Sequence, residues 1–266
     1  ITLPKHDKEN IQFEDLQVKA ICCKNWDTNN DGELSYAEAA AVTDIGDVFS
    51  ENTNIIAFTE LKYFTGITEL SGKSFSKCTN LWKIEIPENV IKLGTGAGNS
   101  GSYGTFMGTA ITNINIPDNL TIIGNGAFEG CKSLKSVNFG KSVSIIEGYA
   151  FQGCSKLSNV ELPENLTFIG SAAFQNCYFT SVTIPSTVTE IQTDAFYSYS
   201  PNRLIHMYCK PLTPPICGSS SSSQGPLGGE HTTGKIIYVP TESVSAYKKA
   251  NGWKNHKSLI YGYDFE

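Results

Sequence analysis

The sequence predicts a mainly β solenoid of short stacked repeats, opened by a small helical cap, and three observations predict it. A phenylalanine recurs in near-constant steps: Phe128, Phe151 and Phe174 stand 23 residues apart, with Phe106 and Phe196 each 22 residues outside them. Cys131, Cys154 and Cys177 keep the same step of 23. Ahead of the repeats, "DTNNDGELSYAE", residues 27–38, spaces oxygen-bearing side chains as calcium loops do.

The opening segment, about residues 10–45, reads as a helix, a loop and a second helix. Counting Asp27 as position 1, the residues Asn29, Asp31, Glu33, Ser35 and Glu38 fall at 3, 5, 7, 9 and 12, with Gly32 at 6, which is the EF-hand pattern. Calcium takes roughly six to eight hard oxygen ligands, so a tight loop must aim alternate residues inward, and Gly32 permits the sharp turn. Asp27, Asn29 and Asp31 are expected to supply side-chain oxygens, Glu33 its carbonyl, Ser35 a bridging water and Glu38 a bidentate carboxylate. Phe13, Leu16, Ala20 and Cys23 share helical spacing before the loop, and "SYAEAAAV" restarts a helix with a Ser35 to Glu38 capping-box pattern. Glu38 cannot fully serve both cap and ion. An acidic Asn/Asp turn without an ion is the plainer alternative.

The repeats follow the pattern Ala-Phe-x-x-Cys-x-x-Leu-x-x-Val-x-Ile-Pro-x-x-Val-x-x-Ile, with a weaker copy at "KSFSKCTNLWKIEIPENVIKL". Apolar alternation is confined to a short piece, which marks a strand with Ile84/Ile86, Ile114/Ile116, Val137/Phe139, Val160/Leu162 and Val182/Ile184 facing inward. Pro87, Pro117, Pro163 and Pro185 end it, because proline cannot donate to a ladder. A unit of this size cannot bury its own apolar face, whereas stacked copies build a continuous core. Stacking predicts an interior column of Phe75, Phe106, Phe128, Phe151, Phe174 and Phe196 beside Leu81, Ile111, Leu134, Leu157 and Phe179.

Both ends of such a stack need cover. At the far end "KIIYVP" repeats the strand-proline element, and "ESVSAYKKANGW" predicts a short helix with Val244, Tyr247 and Trp253 available to close the last turn. The Ser/Gly-rich "CGSSSSSQGPLGGEHTTG" is expected to be a mobile surface loop. The division expected is a helical cap over 1–50, the solenoid over 51–240 with insertions near 94–104 and 217–235, and a closing cap over 241–266.

Composition narrows the partners. A net charge of −6 and a pI near 5.3, with no run of Lys or Arg, argue against nucleic acid or an anionic membrane. No stretch approaches the roughly 18 apolar residues of a membrane span. The chain starts "ITLPKHDKEN" without Met or a signal-like segment, so a processed mature region is expected, compatible with a lipid anchor through a preceding segment. Eight cysteines in 266 residues are too sparse for a disulfide scaffold.

Other constellations yield to simpler readings. Gly96, Gly98 and Gly101 match GxGxxG, but the segment runs into another repeat instead of a helix, so an excursion from one turn is expected. Buried thiols behave as small hydrophobes, so the cysteine column is read as packing. Cys22 and Cys23 are adjacent, and only one can face a core. His206, Cys209, Cys217 and His231 have spacings that no common zinc finger uses, and a Cys209–Cys217 disulfide is expected instead. No hydrolase elbow, HExxH or Walker loop occurs.

The "AFxGCxxLxxVxIP" motif, carried over roughly residues 66–208, resembles the BspA-type leucine-rich repeat of bacterial cell-surface proteins; Gly140 in place of proline and Tyr149-Ala150 depart from it. An EF-hand-like helical leader and an ending like "IIYVPTESVSAYKKANGWKNH" also occur in that family. The resemblance implies a leucine-rich-repeat solenoid, mainly β with repeats of about 22–23 residues, belonging to an exported surface protein that binds other macromolecules; an extracellular protein or glycan ligand and a monomeric chain are expected. The exposed strand positions Lys83, Glu85, Asn113, Asn115, Ser136, Asn138, Asn159, Glu161, Ser181 and Thr183 are the expected platform, about 25 Å long over six turns, with loops near Tyr103 and Gly225 as further candidates. Its columns are polar, without aromatic anchors. Calcium is expected as a structural staple, because one loop lacks the pairing and the Met-rich groove of a sensor. The alternative is a carbohydrate-recognition or dockerin-like assembly accessory, although a dockerin carries two calcium loops, and exposed aromatics for sugar are limited to Trp82 and Tyr103.

Overall fold

The repeats coil into a parallel β-solenoid of about eight turns in the computed structural model, which describes residues 10–94, 103–200, 204–218, 225–228 and 232–265. In chain order the strands are β1 (Ala57–Phe58), β2 (Glu69–Leu70), β3 (Lys83–Ile84), β4 (Lys92–Leu93), β5 (Asn113–Asn115), β6 (Ile122–Ile123), β7 (Ser136–Asn138), β8 (Ile145–Ile146), β9 (Phe168–Ile169), β10 (Ser181–Ile184), β11 (Glu190–Ile191), β12 (His206–Cys209), β13 (Ile236–Pro240) and β14 (Ile260–Tyr263). The helices are α1 (Leu16–Trp26), α2 (Tyr36–Ala41) and α3 (Val244–Lys249). Among the described residues, no helix is long and apolar enough to cross a membrane.

Most repeats carry two strands where the sequence showed one. The second set forms a continuous six-stranded ladder in the order β11-β9-β8-β6-β4-β2. These strands are two residues long, each with a single buried member such as Leu93, Ile123 or Ile146. A strand that short has no room to show alternation, which is why the pattern missed it.

Between the strands lies the aromatic column. Phe75, Phe106, Phe128, Phe151, Phe174 and Phe196 stack in sequence with centroids 5.6, 5.2, 5.1, 5.2 and 5.4 Å apart. Those spacings follow from the roughly 4.8 Å separation of neighbouring strands plus the offset that stacked rings prefer. Phe49 extends the column one turn earlier, stacking on Phe75 at 5.3 Å, and lies before the repeats read from the motif.

The cysteine column is a second internal ladder. The thiols of Cys78, Cys131, Cys154 and Cys177 donate to the carbonyls of Phe49, Phe106, Phe128 and Phe151 one turn back, at 2.9, 3.0, 3.2 and 3.2 Å. A small apolar side chain with a weak donor suits a buried slot that faces a carbonyl. Burial pushes the Cys78 and Cys131 thiols up to about 11, which keeps them protonated and inert.

The expected Cys209–Cys217 disulfide is absent, since all eight cysteines are free thiols. Cys209 sits at an inward position of β12 and both thiols are buried within the apolar core, so packing accounts for them without a bridge. A thiol reagent is expected to reach only the partly exposed Cys23 in the native protein and all eight thiols after unfolding. Finding two fewer after unfolding would show that the pair is bridged.

Corner geometry recurs with the repeat. Gly126, Tyr149, Ala172 and Asp194, each two residues before a column phenylalanine, are left-handed with φ of 64°, 58°, 54° and 60°. Non-glycine residues are strained there, and the stack holds them in place. Gly140 is more than drift from proline: a Cβ on it would lie 2.0 Å from the Pro117 carbonyl oxygen.

At the amino-terminal end the expected inward face of α1 is rotated. Val18 and Cys22 are buried, whereas Leu16 is 72% exposed and Ala20 faces solvent. Asp15 causes this. One carboxylate oxygen caps the helix, accepting from Gln17 N–H at 2.8 Å, while the other accepts from Ile56 N–H at 2.6 Å beside β1. That double tie aims the row 15, 18, 22 at the stack, with Trp26 packed on Phe49 and Phe64.

At the far end Tyr247 and Trp253 are fully buried and donate to the carbonyls of Pro211 and Pro215 at 2.8 and 2.7 Å. Two sequence expectations need correction nearby. Residues 225–228 of the supposed mobile loop are buried, with Pro226 O accepting from Phe196 N–H, so this piece completes a turn of the stack and Gly225 is no loop tip. The chain also adds β14 beyond the closing helix, paired with β13.

Candidate functional site

Outward positions of the first strand set share one face. Lys83 lies on β3 with Glu85 just after it; Asn113 and Asn115 lie on β5, Ser136 and Asn138 on β7, and Ser181 and Thr183 on β10. Ser136 donates to Asn113 and Asn138 donates to Asn115, both at 2.8 Å, so the middle rows form a side-chain ladder. Lys83 pairs with Glu14 at 3.0 Å, and Glu85 pairs with Lys62 at 2.9 Å. These pairs are exposed and worth at most about 1 kcal/mol each, so a ligand can displace them at little cost.

The face is not one sheet. Strand pairing there comprises β1-β3, β5-β7 and β10-β12-β13-β14 as separate groups. Asn159 and Glu161 occupy the stretch between β7 and β10, where residues 158–162 form no ladder with either. Each interruption opens a groove. The one at the unpaired stretch holds about 660 Å³ and is lined by Asn138, Asn159, Glu161, Glu164, Thr183 and Lys210. The other lies between β3 and β5, holds about 530 Å³ and includes Lys62, Glu85, Glu88, Asn115 and Asp118 in its lining. Carboxylates outnumber amines in both. Lys62, Glu88, Asp118, Glu164 and Lys210 escaped the sequence reading because they sit just outside the alternating strand positions.

The expectation of a face without aromatic anchors is overturned at its carboxyl-terminal end. Register places His206 and Tyr208 beside Ser181 and Thr183, Tyr238 beside Tyr208, and Tyr261 beside Tyr238. Tyr208 and Tyr238 stack at 4.9 Å, and Tyr263 lies 5.5 Å from each. β12 and β14 fall beyond the last column phenylalanine, where repeat length changes, so no column alignment reveals them; β13 is the strand-proline element of "KIIYVP", whose outward Tyr238 the motif does not single out.

Tyr103 is not part of this face. It lies beside the corner after Phe75, with Lys73 and Lys77 over its ring at 5.0 and 4.6 Å. Trp82 is half exposed with Lys83 over it at 5.9 Å. Gly96, Gly98, Gly101 and His231 lie outside the described residues.

The acidic loop folds on its own amides. Asp27 accepts from Asn30 and Gly32 N–H at 2.7 and 2.9 Å, Asn29 from Asp31 at 2.8 Å, and Asp31 from Glu33 at 2.9 Å. Asn30 and Gly32 are left-handed, with φ of 59° and 82°. Ser35 and Glu38 form the capping box of α2, and Glu38 also accepts from Thr28 N–H at 2.8 Å. Desolvation pushes the Glu38 carboxyl up, but bonds from Ser35 and Thr28 outweigh it and hold the group down at about 2. Among the described residues, no three His, Cys, Asp or Glu side chains gather as a metal-holding group. The donors are all hard oxygens, as calcium requires, so the loop fits the ion in kind, with its carboxylates turned to amides.

Comparison with known proteins gives a match to the BspA type leucine rich repeat region over residues 43–100 and 101–203, in six copies. Among solved structures, the chain is similar to a leucine-rich repeat protein from Bacteroides ovatus ATCC 8483, at 20% identity, with 79% of this chain and 60% of that one covered and a TM-score of 0.41. It is also similar to a leucine rich cell surface protein from Faecalibacterium prausnitzii A2-165, at 18% identity, 84% of each chain and a TM-score of 0.37. A third similarity is to the pneumococcal vaccine antigen PcpA, at 14% identity, 74% of this chain and 83% of that one, with a TM-score of 0.23. The chain thus spans 60% of the length of the Bacteroides ovatus protein. No curated protein matches it.

Proposed function

We propose that this chain, which belongs to the BspA type leucine-rich-repeat family, is a non-enzymatic binding or adhesion module of a bacterial cell surface or secreted protein, recognising an extracellular macromolecule through its strand face. The observation that carries this reading is the interrupted ladder: two grooves flank the β5-β7 pair on one face, a polar one at the unpaired stretch and a mixed polar and apolar one between β3 and β5. A flat, fully paired sheet offers a partner only side-chain tips. The unpaired stretch at 158–162 adds backbone donors and acceptors within a recess, where a partner's polar groups can be met while water is excluded.

Calcium's part in this reading is structural. Asp27, Asn29, Asp31 and Glu38, the Glu33 carbonyl and Ser35 through a water would hold the ion, which supplies charge compensation to an acidic loop. The loop follows α1, and Glu14, just before that helix, reaches the first row of the face through Lys83. Ordering the loop therefore steadies that row without the ion touching a ligand.

Binding of the purified chain to a panel of extracellular-matrix proteins and glycans, in calcium and in EDTA, tests the reading. Saturable binding to at least one member is expected, weaker in EDTA. Silence across the panel in both buffers would leave the module without a binding role.

A further inference from the structure

Taking the strand face as the binding surface, we propose that its carboxyl-terminal end is a subsite for a neutral glycan, with sugar rings stacking on Tyr261 and Tyr263. Among the described residues β14 is the edge strand of its sheet, and these rings are 55% and 44% exposed. They lie two residues apart on the outward side, and Tyr263 is braced by Tyr208, Tyr238 and Phe265 at 5.5, 5.5 and 4.9 Å. A braced ring keeps its orientation when exposed, so little side-chain freedom is lost on binding.

The chemistry selects the ligand. A pyranose presents C–H bonds on one face, which suit the negative face of an aromatic ring, and hydroxyls around its edge. Outward positions of β12, β13 and β14 carry five rings, His206, Tyr208, Tyr238, Tyr261 and Tyr263, against two aliphatic side chains, Ile236 and the buried Pro240. That composition favours stacking over insertion of an aliphatic peptide anchor. The neighbouring groove begins at Thr183, which pairs with Tyr208, and offers Asn138, Asn159, Glu161, Glu164 and Lys210 to hydroxyls. With two carboxylates facing one amine, it disfavours a sulfated or uronic chain.

The test is calorimetric binding of neutral β-glucan, xylan, mannan and chitin oligosaccharides, with heparin and a proline-rich peptide as contrasting probes. Tyr261→Ala with Tyr263→Ala is the disrupting variant, and the paired Phe substitutions are the conservative one. Both rings are substantially exposed, so truncation should leave the fold intact, at a small cost in melting temperature from the ring contacts of Tyr263 that the melting of each variant records. The expected result is binding of a neutral oligosaccharide that falls roughly tenfold or more in the Ala variant and survives in the Phe variant. Failure to bind any neutral sugar, survival of binding in the Ala variant, or preference of these tyrosines for heparin or the peptide would overturn the subsite. If the intact chain binds a matrix protein but no sugar, the glycan subsite fails and the binding-module reading stands.

Discussion

Phe151→Ala is expected to lower unfolding stability by about 3–5 kcal/mol, the range for deleting a buried phenylalanine. The ring is fully buried. It stacks on Phe128 at 5.1 Å and on Phe174 at 5.2 Å, with Phe139 edge-on at 5.9 Å. Its removal opens a void in the middle of the column, where turns contact only their neighbours and the halves are coupled through this interface. Urea unfolding followed by circular dichroism measures the loss, and a broadened or two-step transition would mark the uncoupling. Phe151→Leu keeps most of the volume and is expected to cost less. A loss below about 1 kcal/mol for the Ala variant would mean that the column is not what holds the turns together.

Calcium is expected to stabilise the unit containing residues 27–38, by about 2.7 kcal/mol at a hundredfold excess over its dissociation constant. The reason is local: Asp27, Asp31 and Glu38 place three carboxylates in one short loop, where amides and hydroxyls of the loop itself hold them. A divalent ion would draw these oxygens onto one centre, cross-linking the loop and fixing the approach of α1 to the first turn. Differential scanning calorimetry in calcium and in EDTA reads the shift, and Asp27→Ala with Glu38→Ala is expected to abolish both the shift and the bound calcium. Unchanged melting and calcium content in that variant would rule out the staple.

What could be read from the sequence divides by repeat regularity. The phenylalanine and cysteine columns were legible because their 23-residue steps survive substitution elsewhere. The second ladder was not, since Ile122–Ile123 and its equivalents give one inward residue per turn. The inward side of α1 was misjudged because Asp15 makes a long-range tie to Ile56, which helical periodicity cannot register. The polar rows of the face were legible from alternation alone. The interruptions between them, and the tyrosines of β12 to β14, depend on which strands actually pair, which is a property of the stack and not of any single repeat.

The central claim, that the strand face binds, is tested most directly by one comparison. Asn115, Asn138 and Thr183 are exposed on the face and line the two grooves; replacing all three with Arg fills the recesses without touching the core. Lys132, exposed in the turn after Cys131, is replaced with Ala as the control. Affinity for the ligand found in the panel is then measured for both variants and the intact chain. The account predicts roughly tenfold or greater loss in the face variant and none in the control. Equal affinity for the face variant and the intact chain would contradict it.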